Sequence, residues 1–327
     1  MQNTLKQIAY NLGRDESEPL NILTFNTHER YQTQLAKTGH NFYSFNYDNG
    51  KEWFKEHAPM PENVYQLPKN SLYPAISFDL ILVQSKFGQF QTASQINEAF
   101  GKIPVVVLEH TLPHLNWPES HVEQFRRMQG DVNVFITEYS KGKWGIDGEV
   151  VYHSVDTDLF KPAGERKNQV LTVAHDFINR DYALNYQGWE RMTKDLPRVV
   201  VGNTEGLSKA PESVDELVKT YQESLVYINP STLSPVPTSM LEAMSCGCAV
   251  VTTATCEIPN FIKHGENGFM SNDEGELRGY VEKLLADPEL AQKMGACARE
   301  TIKEKFSEER FINEWNNIFD KTYGVVK

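Results

Sequence analysis

The sequence predicts an α/β protein built from two Rossmann-like domains. Three observations predict it: short β-rich apolar runs recur along the chain, helical segments separate them, and the same rhythm occupies both halves. Such alternation implies parallel sheets wrapped by helices. In the first half the runs are Asn21 to Phe25, Asn41 to Phe45, Asp79 to Val83, Ile103 to Leu108, Val132 to Ile136 and Glu149 to Tyr152. In the second they are Val170 to Ala174, Arg198 to Val201, Leu225 to Ile228, Ala249 to Thr253 and Gly268 to Met270. Ahead of the first run, Leu5, Ile8, Ala9 and Leu12 fall at helical spacing and predict a helix packed on its own domain. A chain of 327 residues is too long for one ordinary core and suits two. The charged, polar stretch LFKPAGERKNQ, Leu159 to Gln169, is the predicted boundary, which gives domains 1–163 and 164–306. No sequence-level repeat links the halves, so the duplication is architectural.

Composition narrows the partners. The net charge is −12 and neither half is basic, which argues against a nucleic acid or other polyanion held by bulk charge. Trp53, Trp117, Arg126, Arg127, Lys141 and Lys143 supply aromatic and basic groups, and surface packing and solvation account for them. The four cysteines, Cys246, Cys248, Cys256 and Cys297, cluster late and suit no disulfide framework, so reduced thiols in a cytoplasmic protein are expected. Cys246 and Cys248 flank Gly247 with no histidine at finger spacing and read as small buried residues, not metal ligands. Asp156 and Asp158 form a D-x-D pattern at a strand exit, where turn chemistry explains them, and no metal site is predicted. No basic n-region precedes an apolar h-region and no run approaches the length needed to span a bilayer, so neither secretion nor a transmembrane anchor is expected.

The stretch VYINPSTLSPVPTSMLEAMSCGCAVVTTATCEIPNFIKHGENGFM, Val226 to Met270, carries the most chemistry. A strand runs into a loop stiffened by Pro230, Pro235 and Pro237, and a helix follows from near Ser239. The first N–H groups of that helix lack intrahelical partners and sit at the positive end of the dipole, where a diphosphate can settle. Glu242 lies in the first turn, and a carboxylate there can accept from the two neighbouring hydroxyls of a ribose. Ser239 and Glu242 also spell S-x-x-E, a capping box that merely satisfies the helix terminus, and the residues alone leave both readings open. Ligands of open parallel sheets bind beyond the carboxyl ends of strands, which also singles out Thr27, His28, His110, His175 and Arg180.

The run LEAMSCGCAVVTTATCEIPNFIKHGENGFM resembles the donor-binding segment of the retaining group 1 (family 4) glycosyltransferases. The resemblance covers most of the C-terminal half. It implies a GT-B fold, two Rossmann-like domains facing each other across a cleft, with the C-terminal segment 307–327 crossing back to the first domain. It implies a nucleotide-diphosphate sugar as donor, a hydroxyl acceptor such as a saccharide or lipid-linked sugar, retention of configuration, and no cofactor. Glu242 then holds the ribose, and the helix start at Thr238 and Ser239 holds the phosphates. His175 and Arg180 stand where relatives carry an arginine and a lysine on the phosphates, and His110 stands by the reacting centre. Relatives usually have a second glutamate eight positions before Glu242, contacting the donor sugar. Here Ser234 occupies that place, followed by Pro235, Val236 and Pro237, so sugar contacts through Ser234 and Val236 are rearranged. Three alternatives remain beside this reading: a non-catalytic two-domain binding protein, a nucleotide-sugar epimerase, and a transferase acting on a hydroxymethylated nucleic-acid base.

Overall fold

The computed structural model describes residues 18–48, 50–55, 58–72 and 76–324. The segment carrying Leu5, Ile8, Ala9 and Leu12 lies outside them. The chain divides into two compact units, one taking residues up to Tyr152 together with those from Phe311 onward, the other running from His153 to Arg310.

The first unit is built on a seven-stranded parallel sheet: β1 (Asn21–Thr24), β2 (Asn41–Ser44), β3 (Val64–Gln66), β4 (Leu80–Val83), β5 (Val105–Glu109), β6 (Val132–Phe135) and β7 (Glu149–Val150), in the spatial order 3-2-1-4-5-6-7. Strands β1 and β4 are buried at every position, as central strands covered on both faces must be. Helices α1 (Glu29–Ala36), α2 (Gln89–Phe100), α3 (Glu119–Arg126) and α4 (Glu138–Trp144) connect them. Leu23, Phe25, Ile81, Val83 and Val107 meet Ala93 and Ile96 of α2 in one core, while Phe125, Phe135 and Trp144 form a second. Each such side chain stabilises by about 1.5–3 kcal/mol when removed from water.

The second unit has a five-stranded parallel sheet: β8 (Lys167–Val173), β9 (Arg198–Val201), β10 (Ser224–Asn229), β11 (Ala249–Thr252) and β12 (Phe269–Met270), in the order 12-11-10-8-9. Its helices are α5 (Asp181–Leu184), α6 (Tyr186–Thr193), α7 (Val214–Glu223), α8 (Thr238–Ser245), α9 (Glu274–Ala286) and α10 (Pro288–Lys305). Val226 and Ile228 of β10 and Val251 of β11 pack with Leu277, Val281 and Met294. The last helix, α11 (Glu308–Gly324), contributes to the first unit from Phe311 onward. There Trp315 Nε1 donates to the Tyr31 hydroxyl at 3.1 Å, and Phe319 meets Phe42 edge-on.

Every strand predicted from the apolar runs is present, with no end moved by more than three residues. Strand β3 was not anticipated, because it has three residues and only Val64 is buried. The division between units falls at Tyr152 and His153, earlier than the polar stretch Leu159 to Gln169. Composition misled here, since that stretch is stitched into the second unit. The Val155 N–H donates to Phe306 O (2.9 Å), Arg299 bridges the carbonyls of Thr157, Phe160 and Ser245, and Arg166 reaches those of Ser224 and Cys246. Charged residues at the strap serve as hydrogen-bond donors to buried carbonyls instead of marking a solvated linker.

Candidate functional site

In each sheet the chain leaves one strand in both directions, and that reversal opens a crevice at the carboxyl ends. In the second unit it lies between β8 and β10, and α8 begins there. Strand β10, buried throughout, delivers the chain into Pro230–Pro237, which is pinned on both sides. The N–H groups of Thr232 and Leu233 donate to Ala183 O of α5 at 2.9 and 3.1 Å, and the Glu257 N–H donates to Pro235 O at 3.3 Å.

Pro237 is the N-cap of α8, and it offers no side-chain acceptor. Its carbonyl takes the N–H groups of Met240 and Leu241, which leaves those of Thr238 and Ser239 at the open end of the helix. Ser239 is therefore the second helical residue and not a cap. Its Oγ is paired with the Tyr227 hydroxyl at 2.8 Å and donates to Val173 O, the last residue of β8, at 3.3 Å. That bond fixes the helix start at the strand reversal. Glu242, one turn later, is buried, and its Oε2 accepts from the buried Tyr221 hydroxyl at 2.9 Å. The capping-box alternative thus fails at Ser239, which lies inside the helix with its Oγ on Tyr227 and Val173. Thr238 is exposed at the same end and Ser234 is half-buried, whereas the Val236 side chain is buried, so only its backbone is available to a ligand.

His175 and Arg180 follow β8. Asp176 turns the chain with φ 51°, and the Asp176 N–H donates to Asn203 O at 2.8 Å. Both side chains are exposed. His175 Nδ1 accepts the Asn203 N–H at 3.1 Å, so the ring proton of the neutral imidazole belongs on Nε2. Asp176 and Asp181 are the carboxylates nearest Arg180 in sequence, and an ion pair to either would be the plain structural role for it. Those carboxylates instead accept from Asn179 Nδ2 (2.7 Å) and the Gln187 N–H (2.9 Å), and no ion pair to Arg180 occurs among the described residues. Gly202 closes the same edge. A Cβ there would stand 1.9 Å from Ala174 O, and its φ of +129° suits only glycine.

In the first unit, Thr27 and His28 follow β1 and His110 follows β5. The rings of His28 and His110 lie 6.1 Å apart, and Tyr31 meets His110 edge-on at 4.7 Å. The same unit holds two buried ionisable groups that the sequence reading passed over. Glu109 Oε1 accepts from the Thr111 N–H and Oγ1 at 2.9 and 2.6 Å, and burial pushes its carboxyl above the usual range. Lys86 Nζ donates to Phe125 O at 3.1 Å and lies 4.8 Å from the centre of the Trp144 ring, and burial pushes its ammonium below the usual range. Both follow or end an apolar run, so the rule that selected His110 would have found them. Tyr221 was also passed over, because a buried helix tyrosine reads as core.

The other singled-out residues have ordinary surroundings. Asp156 Oδ1 accepts the N–H groups of Asp158 and Leu159, which is turn chemistry. Among the described residues no group of three or more His, Cys, Asp or Glu is placed to hold a metal ion. Cys246 and Cys248 are buried thiols, and burial pushes Cys248 up to about 11. Arg126 pairs with Glu119 and donates to Trp144 O, Lys143 lies over Tyr139, and Trp53 Nε1 donates to Ala58 O. Among the described residues no helix is long and apolar enough to cross a membrane.

Residues 195–301, from just after α6 into α10, match the family model of glycosyl transferases group 1. Over that segment the chain is similar to glycosyl transferases group 1. Among curated proteins, N-acetyl-alpha-D-glucosaminyl L-malate synthase of Bacillus anthracis is 35% identical over 91 residues, 27% of this chain and 23% of that one. Alpha-maltose-1-phosphate synthase of Mycolicibacterium smegmatis is 32% identical over 110 residues, 31% and 27% of the two chains. An uncharacterized glycosyltransferase of Haemophilus influenzae is 28% identical over 171 residues, 46% and 48%. The matches thus span less than half of these relatives. Among solved structures, sucrose-phosphate synthase from Thermosynechococcus elongatus superposes with TM-score 0.74 at 13% identity, covering 94% of this chain and 100% of the other. HepE of Anabaena, solved in complex with UDP and glucose, gives TM-score 0.75 at 13% identity, covering 93% and 100%. Likeness at this identity shows the fold, which is the GT-B fold implied by the sequence resemblance.

Proposed function

We propose that this chain is a glycosyltransferase that moves a sugar from a nucleoside-diphosphate donor to a hydroxyl acceptor, with retention and without a metal cofactor. One observation carries the reading: the uncapped start of α8 opens at the reversal between β8 and β10, with Glu242 one turn along the same helix. The N–H groups of Thr238 and Ser239 and the Arg180 guanidinium are then donors to the diphosphate, with His175 giving one neutral hydrogen bond from Nε2. As the anomeric carbon becomes cationic the leaving diphosphate gains negative charge, and donors already aimed at it stabilise that state more than the bound donor. Retention follows from attack on the face the diphosphate leaves, with a diphosphate oxygen accepting the acceptor's proton. Ser234, in place of a second carboxylate, contacts the donor sugar through its hydroxyl, and Val236 does so through its backbone. His110 is the catalytic residue assigned to the first unit. It stands at the carboxyl end of β5, on the turn held by Glu109. HepE binds UDP and UDP-glucose, which favours UDP-sugars as the first donors to try.

The test is a binding and turnover panel of UDP-, GDP- and ADP-sugars with saccharide and lipid-linked acceptors. Release of nucleoside diphosphate that depends on an acceptor supports the reading. Tight binding with no turnover favours a binding protein, and interconversion of the donor sugar without acceptor favours an epimerase. An acceptor whose binding weakens steeply with salt would indicate a nucleic acid.

A further inference from the structure

Ser239 and Glu242 are three residues apart on α8 and so share one helix face. Each is held from behind by a buried tyrosine. Tyr227, on β10 and 1% exposed, places its hydroxyl 2.8 Å from Ser239 Oγ. Tyr221, on α7 and fully buried, donates to Glu242 Oε2 at 2.9 Å. The two rings lie 6.2 Å apart, and burial pushes the Tyr227 hydroxyl well above the usual phenol range, so it stays a neutral partner.

Deepening the donor-site reading above, and resting on it, we propose that Tyr221 is a positioning residue for ribose recognition by Glu242. An ionised carboxylate only accepts hydrogen bonds, and a phenol is the donor that reaches Glu242 across the interior from α7. With Oε2 held by Tyr221, the carboxylate plane is fixed, so the two ribose hydroxyls meet it in one orientation. A carboxylate left to rotate would lose that orientation when it binds, and the selectivity for a diol would fall. Tyr221 touches no substrate. It acts through Glu242, as an outer hydrogen-bond partner orients a metal-binding side chain.

The prediction is read by calorimetry on the full chain with UDP, GDP and ADP and with their 2′-deoxy forms, using the base that binds tightest. Wild type should prefer the ribo form. In Tyr221→Phe the ribo form should weaken by roughly five- to tenfold, the size of one oriented hydrogen bond, while the deoxy form holds its affinity. Their ratio then falls toward that of Glu242→Gln. Because both ligands are measured on one variant, a general loosening of the fold moves them together and leaves the ratio unchanged, which would overturn the proposal. If wild type bound none of the diphosphates, or did not distinguish ribo from deoxy forms, the donor-site reading itself would fail first.

Discussion

Replacing Arg180 by alanine separates the chemistry of the α8 crevice from the stability of the unit that carries it. The guanidinium is exposed, and neither adjacent carboxylate pairs with it: Asp176 takes Asn179 and Asp181 takes the Gln187 N–H. Its removal breaks no packing and strands no buried partner, so stability should change by less than about 0.5 kcal/mol, a shift in Tm of at most about 2 °C. Turnover should respond very differently. Loss of one charged donor aimed at developing negative charge costs about 3–4 kcal/mol, a fall of roughly a hundred- to a thousandfold. Arg180→Lys should recover part of it, since an ammonium keeps the charge but not the planar fork. The assay is steady-state turnover with the donor found by the panel, set beside a thermal melt of each variant. Turnover within twofold of wild type would remove Arg180 from the site. A turnover loss that tracked a lowered Tm would mean that the residue supports the fold instead.

Three further outcomes follow from the geometry. Glu109 has its carboxyl pKa raised by burial, so the folded state binds its proton more tightly than the unfolded one. The stability this contributes is complete below the ordinary value of 4.5 and is lost as pH rises through the folded value. Glu109→Gln, which keeps an acceptor for Thr111, should flatten that decline in urea titrations run upward from pH 4.5. Gly202→Ala should destabilise the second unit by at least about 2 kcal/mol in a denaturant melt, because the new Cβ meets Ala174 O at a φ reserved for glycine. Trp315→Ala removes a fully buried indole and its bond to Tyr31, and should lower stability by about 3–5 kcal/mol, read as a shifted unfolding midpoint with an unchanged slope.

The strands were legible because burial on both faces makes parallel strands short apolar runs, and β1, β4, β10 and β11 are buried at every residue. Strand β3 escaped for the opposite reason, as an edge with one buried side chain. The unit boundary escaped because charge and proline density signal solvent only when nothing inside needs a donor. Arg166 lies in the stretch read as a linker, and it spends its hydrogen bonds on carbonyls at the end of α8 and the start of β10. A single sequence cannot distinguish that arginine from a solvated one, because the carbonyls it satisfies are more than fifty residues away.

The candidate site rests on the same topology. Position after a strand selects residues by topology, so His110, His175 and Arg180 emerged from one rule, and so should Lys86 and Glu109 have done, while Ser239 and Glu242 emerged from the helix start that follows a strand. What no local rule supplies is the direction from which a side chain is held. Ser239 and Glu242 spell a capping box, yet Pro237 is the cap and the two side chains turn inward to Tyr227 and Tyr221. A proline at the N-cap brings no side-chain oxygen, so nothing competes for the first N–H groups of α8, and the residues that spell the box are released for other partners. A proline at the cap thus leaves two N–H groups open at the start of α8, with a buried acid one turn later that accepts from Tyr221.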